Sequence, residues 1–319
     1  MKILFVTSNR VGDAILSTGL LAHLIQKYPT ARVTVACGPA AASLFQGCTS
    51  VERVIALKKQ RYAGHWARLW AQTVSTFWSI IVDLRGSALA WMLPHVSHFI
   101  YRPNDKPIHR VESLRHTMRL DAVPAPQVWL KEEHALRAKE IIPEGPVVAL
   151  GPTANWGGKQ WPPESFLELA LRLGSPGGPL AGARVAVFGA DGERSMVDAL
   201  LAGIPLDRTI DLIGKTDLPM AAACLRRCRL FVGNDSGLMH LAAAAGVPTL
   251  GLFGPSPEQH YRPWGSHTAF VRTPESFEQI VNVVNYDYRS HESRMTSLSV
   301  DTVFAAAQEL LARTKENMA

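Results

Sequence analysis

The sequence predicts an α/β protein built from two parallel-sheet units, and three observations carry that prediction. Short unbroken apolar runs alternate with amphipathic stretches, Gly-containing turns separate them, and the rhythm restarts after Pro143-Glu144-Gly145-Pro146. Strands buried on both faces read as continuous Val/Ile/Leu runs, as a helix-covered parallel sheet requires. The length of 319 residues suits two domains of roughly 100–200 residues each.

In the first half, residues 2–7 read as a strand and 13–28 as a helix ended by Pro29. Strands at 32–36, 51–57 and 79–84 follow, with a short helix at 38–46 and a Trp-rich helix at 66–77. Residues 101–128 carry scattered Pro, His and Arg and read as irregular. A helix at 131–141 precedes the Pro/Gly hinge. The second half reads as strands at 147–150, 184–188, 209–212, 230–232 and 249–253. Helices at 163–173, 193–202, 218–226, 237–245 and 300–311 accompany them. Strands alternating with helices at this spacing indicate two parallel α/β units.

Apolar content of 47% and charged content of 19% are globular values and exclude a disordered or collagen-like chain. The formal charge of +6 favours anionic partners without choosing among them. No Lys/Arg block of a nucleic-acid arm occurs, so nucleic acid is not expected. The nearest basic run, Leu57-Lys58-Lys59-Gln60-Arg61 ahead of Trp66, Arg68 and Trp70, reads as a solvated loop entering a helix or as an interfacial or acceptor-facing surface. The four cysteines form no CxxC pair and no zinc spacing, which suits buried structural thiols in a reducing compartment. The N-terminus lacks a signal-peptide core, and the apolar runs at 76–84 and 242–253 are too short or too broken to span a bilayer. A soluble cytoplasmic protein is expected.

Three constellations follow strands, where ligands of open α/β sheets bind. The first is Gly233-Asn234-Asp235-Ser236-Gly237-Leu238-Met239-His240. Ser236 and Gly237 offer backbone N–H groups at a helix start, which favours a phosphate, Gly237 lets a ligand approach closely, and His240 lies one turn on. The alternative is that Asp235 or Ser236 merely caps the helix. A second strand–turn, ending Phe253-Gly254-Pro255, converges on the same edge.

The second constellation is Gly151-Pro152-Thr153-Ala154-Asn155-Trp156-Gly157-Gly158-Lys159-Gln160-Trp161-Pro162. Thr153 and Asn155 donate hydrogen bonds and Lys159 supplies positive charge, a combination suited to a diphosphate. A flexible loop anchored by Trp161 is the other reading. An acid in Gly189-Ala190-Asp191-Gly192-Glu193, with Asp191 the candidate, suits ribose hydroxyls or a helix cap. The third constellation is Asn9-Arg10-Val11-Gly12-Asp13. Asp13 either complements the helix dipole or acts as a general base on an attacking hydroxyl. No HExxH, DxD, GxSxG or GxGxxG pattern occurs, so no metal site is expected and neither a hydrolase nor a dinucleotide enzyme is indicated.

Taken in order, these residues resemble glycosyltransferase family 9, the heptosyltransferase family. The likeness runs through Gly12-Asp13, Lys159-Gln160-Trp161-Pro162, Glu164-Ser165-Phe166, Leu212-Ile213-Gly214-Lys215-Thr216-Asp217-Leu218, the Asn234 to His240 motif, Gly254-Pro255-Ser256 and Pro263-Trp264-Gly265. The resemblance implies a GT-B fold of two Rossmann-like domains facing across a cleft. It divides the chain into an acceptor-side domain over 1–142, a nucleotide-sugar domain over 146–298, and a final helix over 299–319 packing back on the first domain. It implies inverting, metal-independent transfer of a heptose or related sugar from an ADP-sugar to a lipopolysaccharide core or similar glycolipid, at the cytoplasmic face of the inner membrane. No cofactor is implied beyond the ADP-sugar donor.

By the same resemblance Asp13 is the general base, and Lys159 with Ala154 and Asn155 lies at the donor phosphates. Asp235, Ser236 and Gly237 form the diphosphate cradle beside His240, and Leu218 and Met220 line the adenine pocket. Ala154 and Asn155 stand where relatives often carry hydroxyl residues, which bears on the donor's identity. Two other functions share the pattern: a sugar-nucleotide epimerase of the same plan, and a non-catalytic nucleotide-sugar-binding or assembly protein. Both predict that Asp13 is dispensable for proton abstraction from an acceptor.

Overall fold

The computed structural model describes residues 1–103, 106–282 and 292–316. The chain divides into two units, Met1–Lys131 and Glu132–Ala319, each organised on one all-parallel sheet as the sequence predicts.

In the first unit β1 (Lys2–Val6) leads into α1 (Val11–Lys27) and β2 (Arg32–Cys37). There follow β3 (Val51–Ala56), α2 (Gly64–Thr73), β4 (Trp78–Asp83), α3 (Leu89–Met92), β5 (His95–Ile100) and α4 (Arg110–Thr117). The sheet order is β3-β2-β1-β4-β5, every pairing parallel. Leu4, Val6, Ile55, Leu69, Trp78 and Ile81 form one core cluster. The segment ahead of the second unit crosses α1 at Gly19, where a Cβ would stand 2.7 Å from the Ala125 carbonyl oxygen. There the Gln127 amide donates to Thr18 Oγ1 at 2.8 Å.

The second unit runs α5 (Glu132–Ile141), β6 (Val147–Gly151), α6 (Pro163–Leu173), β7 (Arg184–Gly189), α7 (Asp198–Gly203), β8 (Thr209–Ile213), α8 (Leu218–Leu225) and β9 (Leu230–Asn234). It continues through α9 (Gly237–Ala244), β10 (Thr249–Phe253), α10 (Glu258–Tyr261), β11 (Thr268–Arg272), α11 (Phe277–Val281) and α12 (Val300–Glu316). The order β11-β10-β9-β6-β7-β8 is that of a doubly wound dinucleotide-type sheet. Each sheet therefore reverses its winding direction once, between β1 and β4 in the first unit and between β6 and β9 in the second.

Several elements differ from expectation. The strands β5 and β11 emerge where no strand is expected from the sequence. Both are edge strands with no fully buried residue, so neither shows the unbroken apolar run of an interior strand. The helix α4 lies within the stretch expected to be irregular. The helix expected over 193–202 is broken at Val197 into a 3₁₀ turn and α7.

The domain boundary also moves. Helix α5, expected in the first domain, belongs to the second unit and packs on α8. Arg227 beyond α8 donates from Nε to the Ile142 carbonyl at 2.8 Å and from Nη2 to Glu144 at 2.8 Å, holding the hinge segment there. The final helix, expected against the first domain, buries Val303, Ala307, Leu310 and Leu311 in the second unit's core and packs on α6, β10 and β11. Its apolar stripe recurs at helical spacing and meets Leu169 and Leu173 of α6. All four cysteines are buried thiols. Burial pushes Cys37 up to about 12 and Cys224 up to about 11, so these thiols stay protonated and pack as apolar groups.

Candidate functional site

In the second unit the site is built where the winding reverses, on the loops after β6 and β9. Open α/β sheets leave a crevice at such a point, because adjacent strands send their connections to opposite faces. Asn234 ends β9 fully buried, and its side chain ties the two loops together. Its Oδ1 accepts from the Trp161 amide at 3.0 Å, and its Nδ2 donates to the Pro152 carbonyl at 2.7 Å. Both ends of the β6 loop are thus fastened to one amide. Trp161 secures the far end: its ring is buried edge-on to Phe166, and Nε1 donates to the Leu298 carbonyl at 2.9 Å. Trp161 therefore anchors the loop while leaving its polar residues available.

Held this way, the β6 loop places Lys159 in a single 3₁₀ turn, Gly157–Lys159. Its Nζ donates to Asp235 Oδ2 at 2.5 Å. Asp235 is 6% exposed and Lys159 23%, so the pair opens to solvent on the lysine side. Gln160 steadies the loop by donating from Nε2 to the Ala154 carbonyl at 3.1 Å.

At the start of α9 the capping alternative is not realised: Ser236 is the N-cap residue, and its side chain makes no capping bond. Its Oγ is buried without a hydrogen-bond partner among the described residues. Asp235 is engaged with Lys159. The helix thus begins with backbone N–H groups uncapped by side chains, beside a cation, in the geometry that attracts an anion. His240 lies buried in the first turn of α9.

Thr153 is buried, and its Oγ1 donates to Glu193 Oε2 at 2.8 Å. The same oxygen accepts from the Ala190 amide at 2.8 Å, completing a cap on the turn after β7. The acid that reaches the β6 loop is therefore Glu193, whereas Asp191, the sequence candidate, is exposed. Ala154 is buried and Asn155 exposed. Leu218 and Met220 are half-buried at the start of α8, after the edge strand β8. Asp217 caps that helix by accepting from the Met220 amide at 2.9 Å.

In the first unit the corresponding reversal lies between β1 and β4. Asp13 sits in the first turn of α1 with its side chain 18% exposed. Ser8 Oγ donates to its Oδ2 at 3.4 Å, and Arg110 Nε stands 3.8 Å from its Oδ1. Arg110 opens α4 and stacks its guanidinium over the Tyr101 ring at 4.2 Å, which fixes the plane it presents to Asp13. Asp83, at the end of β4, is fully buried and accepts from the Arg85 amide at 2.8 Å and the Ser87 amide at 2.9 Å. Arg85 then reaches Asn9 Oδ1 at 2.9 Å, tying the β4 turn to the segment that enters α1.

Sequence reasoning did not single out Arg110, Arg85 or Asp83. Asp83 had a usable signal, since a lone acid closing an apolar strand needs partners at the sheet's carboxyl edge. Arg110 had none. Among the described residues no group of three or more His, Cys, Asp or Glu is arranged to hold a metal ion. No helix among them is long and apolar enough to cross a membrane.

Residues 86–283 match the profile of glycosyltransferase family 9 (heptosyltransferase). Lipopolysaccharide heptosyltransferase 2 of Salmonella typhimurium is 26% identical over 320 residues, covering 85% of this chain and 87% of that protein. Lipooligosaccharide heptosyltransferase 2 of Haemophilus influenzae is 27% identical over 210 residues, covering 61% of this chain but only 58% of that relative's length. Among solved structures, that of Escherichia coli ADP-heptose lps heptosyltransferase II superposes with a TM-score of 0.74 at 20% identity, covering 99% of this chain and 100% of that one. The last likeness is one of fold: a GT-B pair of parallel-sheet α/β domains.

Proposed function

We propose that this chain, which belongs to glycosyltransferase family 9, the heptosyltransferase family, moves a heptose or related sugar from an ADP-sugar to a lipopolysaccharide core or similar glycan acceptor. The observation that carries the donor half of this reading is the Lys159–Asp235 pair beside the start of α9, where no side chain caps the helix. A nucleoside diphosphate leaving group gathers negative charge as its bond to the sugar breaks. A lysine ammonium and preorganised backbone N–H groups of Ser236 and Gly237 stabilise that charge as it develops. His240, one turn on, adds a polar group to the same cradle. Thr153, Ala154 and Asn155 border the donor on the β6 side, and Leu218 and Met220 flank the adenine. Glu193, rather than Asp191, is the acid set to accept from a donor hydroxyl, since it already orders Thr153.

In the transfer step the acceptor hydroxyl oxygen attacks the anomeric carbon from the face opposite the diphosphate. The new C–O bond forms as the bond to the phosphate oxygen breaks, so configuration inverts. The hydroxyl proton passes to Asp13, and ADP departs with the electron pair of the broken bond. Arg110 orients the Asp13 carboxylate from one side and Ser8 from the other. No step in this scheme calls for a bound metal. The acceptor in this reading is a lipid-borne glycan, so the protein works in the cytoplasm at the inner membrane face.

The decisive experiment pairs thermal shift against ADP, UDP and GDP sugars with a transfer assay onto a deacylated core acceptor, with and without a chelator. A ligand stabilises the fold in proportion to its occupancy, so the matching nucleotide raises Tm most. Selective stabilisation by an ADP-sugar, chelator-insensitive transfer and an inverted product are expected. Donor binding without transfer favours the non-catalytic reading, and strict dependence on a divalent ion overturns the metal-free scheme.

A further inference from the structure

A diphosphate seated between the loops after β6 and β9 meets little net positive charge. The ammonium of Lys159 is cancelled by the Asp235 carboxylate beside it, and a helix start such as that of α9 contributes only about half an elementary charge. Other cations near the carboxyl edge of the second sheet are committed as well. Arg194 and Lys215 both engage Asp211, and Arg272 engages Glu258. Arg294 stands apart: its Nε is buried with no hydrogen-bond partner among the described residues, and no carboxylate among them pairs with it.

The segment carrying Arg294 is fastened beside the donor loops from two sides. The Arg294 amide donates to the Gly158 carbonyl at 3.0 Å, next to Lys159, and Ser293 Oγ donates to the Gln160 carbonyl at 2.5 Å. On the other side Gly254, which follows β10, has no room for a side chain. A Cβ there would stand 3.3 Å from the Arg294 carbonyl oxygen and would strike the Met295 sulfur. Met295 is fully buried in the core, whereas Arg294 keeps part of its surface in solvent. Ser256, just beyond Gly254, is a second orphan: it is 3% exposed, and its Oγ has no partner among the described residues. Buried donors are almost always paired in folded proteins, so two left open at one sheet edge call for an acceptor that the protein does not itself supply.

Strand order decides which end of the donor these groups meet. The sheet runs β11-β10-β9-β6-β7-β8. Glu193 follows β7 and Leu218 and Met220 follow β8, so in the proposed scheme the adenosine lies on that side and the diphosphate at β6 and β9. Gly254 and Ser256 follow β10, on the far side of β9 from the nucleoside, and Arg294 lies between that turn and the β6 loop. We infer that Arg294, aided by the Ser256 hydroxyl, binds the terminal phosphate of the donor, the one that carries the sugar. It stabilises charge on the phosphate oxygens as the bond to the anomeric carbon breaks. A planar guanidinium donates to two such oxygens at once, which an ammonium does less well. The inference rests on the reading of the donor as an ADP-sugar and adds the cation that balances a metal-free departure of ADP.

Calorimetric titration of the full chain with AMP and with ADP separates the two phosphates. Arg294→Met should weaken ADP binding roughly 10–100-fold and leave AMP affinity within a factor of about two. Arg294→Lys should recover part of the ADP affinity, since it restores charge without the fork. Ser256→Ala should weaken ADP binding about three- to tenfold, with AMP again unaffected. In transfer from an ADP-sugar, Arg294→Met should lower kcat about tenfold or more. Its Tm without nucleotide should equal or exceed that of wild type, because the substitution removes a buried donor that has no protein partner. Equal losses on AMP and ADP with a lowered Tm mark a merely structural role and overturn the assignment, as does ADP binding that Arg294→Met leaves intact. Wild-type protein that binds neither nucleotide counts against the ADP-sugar reading instead.

Discussion

Lys159 Nζ donates to Asp235 Oδ2 at 2.5 Å across 76 positions of sequence, joining the loops after β6 and β9. The pair shields a buried carboxylate and holds a cation beside the start of α9. Removing Lys159 leaves Asp235 buried without its counter-charge. Because Lys159 is partly exposed, solvent screens part of that loss. Lys159→Met should therefore lower stability by about 1–3 kcal/mol in denaturant unfolding and abolish measurable ADP-sugar binding by calorimetry. Lys159→Met with Asp235→Asn should regain much of the stability but none of the affinity. A double variant no more stable than the single one means the two side chains are not energetically coupled.

Asp13→Asn separates chemistry from binding. Asparagine keeps the shape of the side chain but cannot take the acceptor's proton. A fall in kcat of roughly 10²–10⁴-fold is expected, with donor affinity within a factor of about two of wild type. Wild-type turnover in this variant removes Asp13 from the role of base.

Asn234→Ala tests the tie between the loops. It strands the Trp161 amide and the Pro152 carbonyl, each of which now loses a buried partner. A destabilisation of about 2–4 kcal/mol is expected, together with weaker donor binding because the segment bearing Lys159 is released. Chemical denaturation and ADP titration measure both. A stable variant with intact affinity shows that other contacts hold the loop.

Asp83 gives a pH signature. Burial pushes its carboxyl above the ordinary 3.8, against hydrogen bonds from Ser87 and Arg85 that pull the other way. A raised folded-state value favours the protonated form in the fold. Its stabilising contribution is therefore full below about pH 3.8 and is lost as pH rises through the raised value. Asparagine has no such titration, so the Tm of Asp83→Asn relative to wild type should improve from pH 4 upward and level off above the raised value. A difference that stays constant across that range contradicts the assignment.

The interior of both sheets was legible because burial on two faces leaves unbroken apolar runs such as Ile3-Leu4-Phe5-Val6 and Leu230-Phe231-Val232. The loops after β6 and β9 were legible for a related reason: a Gly-rich turn after such a strand must stand at the sheet's carboxyl edge. The edge strands β5 and β11 were not, since a half-exposed strand bears no such run. Glu193 and Asp191 occupy one turn two residues apart, and spacing alone does not say which reaches Thr153.

By itself the sequence determined two parallel α/β units, the Gly-rich loops that follow their interior strands and the acid that opens the first long helix. These follow from local periodicity and turn composition, which are written into neighbouring residues. The tertiary structure alone decided that Lys159 meets Asp235, that Arg110 stands at Asp13, that α5 and α12 belong to the second unit, and that Arg294 lies beside the loop bearing Lys159. Those outcomes depend on strand order and on which apolar stripes find each other, relations between distant residues that no local pattern encodes.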